Sequence, residues 1–213
     1  MSLTSHLDSR ASPVYQFFAD NFADIAATRR AWNATLATAT TIRPTTTARP
    51  PYSYDNLRVT VHDMAPIVRA SWLRGVSALP NAFAHESYID ELASAAGVDP
   101  VEYRLRHLPD PRAAELVRAT AEKAGWITHT APRPSGPGEW VSGQGFAYAR
   151  YIHSRWPGFG AAWAAWVADV DVNRNTGEVH VRRVVVGHDA GLMVNPAGVT
   201  QQVHGNVVQP LIA

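Results

Sequence analysis

Cysteine is absent from the 213 residues. That removes disulfides, thiolate catalysis, zinc–thiolate sites and any iron–sulfur cluster held by this chain. A charge excess is missing too: 19 basic residues face 18 acidic ones, for a formal net charge of +1. No basic run is interleaved with aromatics, so neither nucleic acid nor an anionic membrane surface has an electrostatic case as partner. No apolar run reaches the ~18 residues of a membrane span. Residues 1–13, MSLTSHLDSRASP, lack the apolar centre of a signal peptide. What is present is a globular composition, 46% hydrophobic and 17% charged. The length suits one domain, or two small ones, with a real core.

The chain is organised around residues 70–96, ASWLRGVSALPNAFAHESYIDELASAA. A loop carrying Arg74 and Gly75 ends at Pro80-Asn81 and runs into a helix. Phe83, Ile89, Leu92 and Ala96 are expected to share its core-facing side. A glycine-flanked arginine on a loop before such a helix is well placed to face a ligand. Its plainer reading is a loop cation paired with Glu86 or Asp90.

The rest reads in order. Val14 to Trp32 has helical spacing of Phe17, Phe18, Phe22 and Ile25. Residues 34–51 are rich in Thr, Ala and Pro and read as a linker. The domain division expected is 1–51, irregular, and 52–213, folded. Leu57 to His62 alternates as a half-buried strand. Gly97 ends the central helix. Asp99-Pro100 and Asp110-Pro111 each supply an N-cap with proline at the first helical position, predicting helices to about His107 and to Ala124, the latter closed by Gly125. Gly143 to Tyr151 reads as a strand. The Gly143-Gln144-Gly145 triplet that opens it reads equally as a close backbone approach to a ligand and as a sheet-entry turn, and Gln144 is not taken as a site. Ala162 to Val172, the turn NRNTG and Glu178 to Val186 read as a hairpin. Asp169 and Asp171 share one strand face. A carboxylate pair invites a metal or acid–base role, but pairing with Arg182 or Arg183 is the better expectation. Asn195-Pro196 caps a last helix, which Pro210 should break. The nine histidines show no local metal-ligand spacing, so direct metal binding is not expected.

Several of these segments resemble one family in the family's own order: WLRGVSALPNAFAHESYIDELA, DPVEYRLRHLPDPRAAELVRATAEKAGW and GHDAGLMVNPAGVTQQVHGNVVQ. They are similar to the molybdenum-binding (molybdopterin-binding) subunit of xanthine dehydrogenase/aldehyde oxidase-type hydroxylases. The likeness is to the nicotinate dehydrogenase and isoquinoline 1-oxidoreductase beta-subunit branch. The match is continuous from Pro51. Leu73-Arg74-Gly75 matches the start of a family loop that reads like FRGFGGPQ, with Val76 and Ser77 departing from it. Gln202 and Gly205 match a signature that reads like DCGRVINPxxVxxQIEGGxxQGL. His204, Asn206 and Pro210 depart from that signature, standing where the family has Glu, Gly and Gly.

The resemblance implies an α+β chain, a partial molybdenum-hydroxylase large-subunit fold with helices packed on a mixed sheet. It implies a molybdenum cofactor, as the cytosine dinucleotide, and hydroxylation of an N-heterocycle or aldehyde with water as the oxygen source. Arg74 would orient substrate or stabilise developing negative charge. Gln202 would hydrogen-bond the pterin, using an amide that both donates and accepts, and Gly205 would allow close approach. Partners implied are a 2Fe-2S small subunit, a cytochrome c acceptor and the remainder of the large subunit, in the cytoplasm or else the periplasm. The family's carboxylate base sits in a GEP-type motif, which this sequence lacks. The expectation is therefore a truncated member or one piece of a split subunit, inactive alone. The competing expectation is a non-catalytic remnant that docks onto another subunit.

Overall fold

A computed structural model describes residues 48–60, 78–132, 136–154 and 160–209. The expected helix at 14–32, the arginine loop at 70–77 and Pro210 lie outside these residues. The chain divides into two compact units, Met1–Arg49 with Arg58–Leu79, and Pro50–Leu57 with Pro80–Ala213. The second unit carries nearly all the described structure.

Its elements are α1 (Ala78–Ala95), α2 (Pro100–His107), α3 (Pro111–Ala124), β1 (Trp140–Ser154), β2 (Gly160–Asn173), β3 (Val179–Asp189) and α4 (Pro196–Val208). The described strands form one antiparallel sheet in the order β1-β2-β3. This is the α+β architecture expected. Residues 57–60 form no strand, contrary to the alternation read there, and Leu57 and Val59 are each 42% exposed. An alternating stretch becomes a strand only where its apolar side finds a surface to cover.

Local chemistry explains the helix ends. The Asp99 carboxylate accepts from the Val101 and Glu102 N–H groups at 2.9 and 3.1 Å. Its other oxygen accepts from the Trp126 indole and the His129 N–H, both at 3.0 Å. Asp110 repeats the device, accepting from Arg112 N–H at 3.0 Å and from the Trp163 indole at 2.9 Å. Each cap thus satisfies orphan donors of its helix and ties that helix to an aromatic side chain. Gly125 closes α3 in the left-handed region at φ 65°.

The inner face of the sheet presents Phe146, Tyr148, Trp163, Ala165 and Val167. These pack with Val117, Ala121 and Ala124 of α3, and with Ile89, Val101 and Tyr52. The buried stripe of α1 is Glu86, Ile89 and Ala93. Of the stripe expected from sequence, Ile89 is buried and Leu92 half-buried, while Phe83 and Ala96 are exposed. Phe83 is 75% exposed, roughly a quarter-turn from the true inner face, and Pro80 sits inside the first turn of α1 rather than before it, a position proline tolerates.

What draws Glu86 inward is Arg104 of α2. The Arg104 side chain is fully buried. Its Nε donates to Glu86 Oε2 at 2.9 Å. Nη1 donates to Asp90 at 2.7 Å and to the Pro100 carbonyl at 3.0 Å. Nη2 donates to the carbonyls of Glu86 and Phe146 at 3.3 and 3.2 Å. Glu86 also accepts from the Tyr52 hydroxyl and the Tyr148 N–H, both at 2.7 Å. The Phe146 carbonyl and Tyr148 N–H belong to the edge of β1 turned away from β2, where a neighbouring strand would otherwise pair. The ion pair takes that strand's place and covers the edge. Burial works against the Arg104 charge, but Glu86, Tyr52 and Asp90 outweigh it and raise the guanidinium pKa. Burial, then the Glu86 charge, pushes the Tyr52 hydroxyl well above the usual tyrosine value, so it stays a donor.

Packing of this kind makes single changes costly. Arg104→Leu strands a buried carboxylate and should cost about 3–5 kcal/mol in urea unfolding. The double variant Arg104→Leu/Glu86→Leu should cost clearly less than the sum of the two single changes. A loss below about 1 kcal/mol for Arg104→Leu would contradict the buried-pair account. At Gly187 of β3 an added Cβ would collide with Thr120 Oγ1 and lie 3.0 Å from Leu116 Cδ1. Thr120 is held there by its hydrogen bond to the Leu116 carbonyl, 2.7 Å. Gly187→Ala should destabilise by about 1–3 kcal/mol, and adding Thr120→Ala should recover most of that loss.

Candidate functional site

Trp163 and Trp166 lie three apart on β2, so they face opposite sides of the sheet. Trp163 is buried on the helix side. On the other side, cross-strand pairing sets Trp166 between Ala147 and Val186, and Ala164 between Ala149 and His188. Helix α4 runs by this outer face. Asn195 caps it, accepting from Gly198 N–H at 2.9 Å, with Pro196 at its first position. No residue of α4 is buried.

A cleft of about 580 Å³ lies between α4 and the outer face, within the size range of small-molecule sites. Its helix wall is Asn195, Val199, Gln202, Val203 and Asn206, and its sheet wall includes Tyr151, Ala164, Trp166, Val186 and His188. Gln202 and Asn206 are four residues apart, so their amides share one helix face. Among the described residues, no lysine or arginine lines the cleft. The donor set therefore suits an uncharged planar ring with a mixed donor–acceptor edge, such as a pterin. It does not suit that cofactor's phosphate.

The sequence candidates fall out unevenly. Gln202 lines the cleft. Gly205 does not, and a Cβ there would meet no atom within 4 Å, so no close approach within this chain requires a glycine at that position. Arg74 lies outside the described residues. The two residues proposed above as its plain partners, Glu86 and Asp90, are bound to Arg104. Sequence reasoning noted Asn206 only as a departure from the family signature and passed over Trp166, Tyr151 and His188 as cleft residues. The four-residue step from Gln202 could have flagged Asn206, but nothing local could say which sheet face α4 would border.

Asp169 and Asp171 are claimed by arginines, as expected. Asp169 meets Arg183 at 2.7 Å, and Asp171 meets Arg182 at 3.0 Å. Neighbouring residues of a regular strand could not both do this. The β2–β3 register skips Arg182 between the pairs Asp169↔Arg183 and Val170↔Val181, and this bulge brings both guanidinia to one side. Gln144 also contributes, donating to Asp169 at 2.8 Å and accepting from Ile127 N–H at 3.1 Å. Among the described residues no cluster of three or more His, Asp or Glu could hold a metal, and no helix is long and apolar enough to cross a membrane.

Two family models match, both described as a molybdopterin cofactor-binding domain, over residues 85–211 and 23–108. The chain belongs to this molybdopterin cofactor-binding family. Among curated proteins it is 70% identical over 164 residues to a nicotinate dehydrogenase subunit of Pseudomonas putida, covering 76% of this chain and 14% of that protein. It is 32% identical over 145 residues to the beta subunit of isoquinoline 1-oxidoreductase from Brevundimonas diminuta, covering 68% and 17%. It is also 36% identical over 88 residues to the aldehyde oxidoreductase molybdenum-binding subunit PaoC of Escherichia coli K12, covering 35% and 12%. The chain thus spans about a seventh of the length of the first relative. No solved structure matches it.

The paired carboxylates predict an acid limit. Hydrogen bonds from Arg112 hold the Asp189 carboxyl down at about 2. Burial would raise Asp169, but hydrogen bonds from Arg183 and Gln144 outweigh it and lower its pKa. Both groups have depressed folded pKa values. Their stabilisation is complete above the ordinary aspartate value of ~3.9 and is lost as pH falls toward 2. Unfolding midpoints measured from pH 6 to pH 2 should fall in this window, and Asp189→Asn should flatten the slope. An unchanged slope in that variant would remove Asp189 as a cause.

Proposed function

We propose that this chain forms one wall of the molybdopterin site in the catalytic subunit of a molybdenum hydroxylase. The observation that carries the reading is the pair of amides, Gln202 and Asn206, lining a cleft whose opposite wall is aromatic and aliphatic. Gln202 presents donor and acceptor to the pterin edge, Asn206 adds a second amide one turn on, and the apolar sheet wall excludes water from the ring. When bound, the cofactor supplies a two-electron oxidation with water as the oxygen source. Its phosphate, and the cytosine nucleotide expected with it, fall to groups outside this cleft. Arg74 is the residue assigned to substrate orientation and charge stabilisation.

The substrate class is an N-heterocycle, with an aldehyde as the alternative. The 70% identity to a nicotinate dehydrogenase subunit supports the former. Electrons would leave to a 2Fe-2S subunit and then to a cytochrome c acceptor. No GEP-type motif occurs in these 213 residues, so the chain supplies pterin-binding groups and another segment supplies the base.

The test is to express the chain in a host that makes the cofactor and to assay the oxidised, fluorescent pterin that co-purifies. Pterin should accompany the chain, and Gln202→Ala should lower its content by roughly tenfold, the worth of one well-placed hydrogen bond. Hydroxylation of nicotinate should be absent. Pterin-free protein from a loaded host would sink the reading. Full turnover by the purified chain would overturn the assignment of the base to another segment.

A further inference from the structure

Four tryptophans fall among the described residues, and three have settled roles. Trp126 and Trp163 donate their indole N–H groups to the capping carboxylates of Asp99 and Asp110. Trp140 stacks on His180 with ring centroids 4.7 Å apart. Trp166 is different. It is half-buried and lines the cleft, and it makes no hydrogen bond or ring contact with any described residue. A tryptophan in such a place ordinarily pairs its N–H.

Its nearest neighbours on that side of the sheet, along β2 and on β1, are alanines. Ala147 and Val186 stand opposite it on the two flanking strands. Ala149, Ala162 and Ala164 share its side of the sheet and line the same cleft. Val186 and His188 stand on its β3 side, and Tyr151 lies further along the same cleft, so the indole is the largest flat surface on that wall. Gln202 and Asn206 of α4 line the same cleft.

We propose that Trp166 is the stacking platform of this cleft. An uncharged, fused N-heterocycle lies on its indole, with the polar edge of that ring turned to the α4 amides. Trp166 then sets selectivity for flat bicyclic rings, while Gln202 and Asn206 set orientation. This inference rests on the pterin-binding reading above and adds to it the residue that grips the ring.

The experiment titrates the purified 213-residue chain with 6,7-dimethylpterin, following pterin fluorescence, which a stacked indole quenches. Equilibrium dialysis gives the affinity independently. Wild type should bind and quench. Trp166→Ala should weaken binding roughly tenfold or more, the scale of one base-on-aromatic stack. Trp166→Phe should keep affinity within about threefold, because a ring remains, but lose most of the quenching. Trp140→Phe, outside the cleft, should change neither readout. If Trp166→Ala fails to fold, Trp166→Phe decides alone, and quenching equal to wild type overturns the proposal. Loss of binding in Gln202→Ala with none in Trp166→Ala overturns the platform and leaves the pterin reading standing. Failure of wild type to bind the probe overturns that reading, and the platform with it.

Discussion

Everything described in this fold hangs on the buried guanidinium of Arg104. It reaches two carboxylates and three backbone carbonyls, which uses the donors that a planar fork offers. Glu86, its main partner, is held in turn by Tyr52 and by the backbone of β1. The pair therefore joins α1, α2, the 50–57 segment and the sheet edge at one point. Taking these charges out of water is costly, and only complete satisfaction of every lone pair and proton offsets that cost. Among the described residues no buried side-chain nitrogen or oxygen lacks a partner.

That latch leaves the sheet with two unlike faces. On the inner face, α3 packs so closely that β3 needs glycine at position 187. Arg112 reinforces the approach from the rim, forming an ion pair with Asp189 while lying over the Trp163 ring at 4.5 Å. On the outer face the packing is loose, with small alanines, a lone indole and a helix that buries none of its residues. Close packing on one side and an open cleft on the other is how a scaffold holds a ligand wall rigid without filling the ligand's space.

Much of the secondary structure was legible because its causes are local. The Asp-Pro caps, Gly125 and the NRNTG turn each act within a few residues, and the helices and hairpin lie where those signals put them. The turn itself is built on Asn173, whose side chain accepts from the N–H groups of residues 175 and 176. Burial was less legible. Phe83 was assigned to the core, since hydrophobicity was the guide, and Glu86 was read only as a partner for Arg74. An arginine 18 residues away draws Glu86 into the core instead.

Sequence alone determined the capped helices α2, α3 and α4, the β2–β3 hairpin, the family and the candidacy of Gln202, because motifs and caps are carried by short runs of residues. It read a strand at 57–60, however, where none forms. It also anticipated the pairing of Asp169 and Asp171 with Arg182 and Arg183. Only tertiary structure decided how two adjacent arginines could serve both, through a bulge that no spacing rule announces. Tertiary structure alone also set which face of α1 turns inward and which side of the sheet stays open. The reason is the range of the forces involved. Backbone dihedrals and caps act over a few neighbouring residues. The partner of a buried charge and the wall opposite a helix are chosen by segments far apart in the chain, which meet only when it folds.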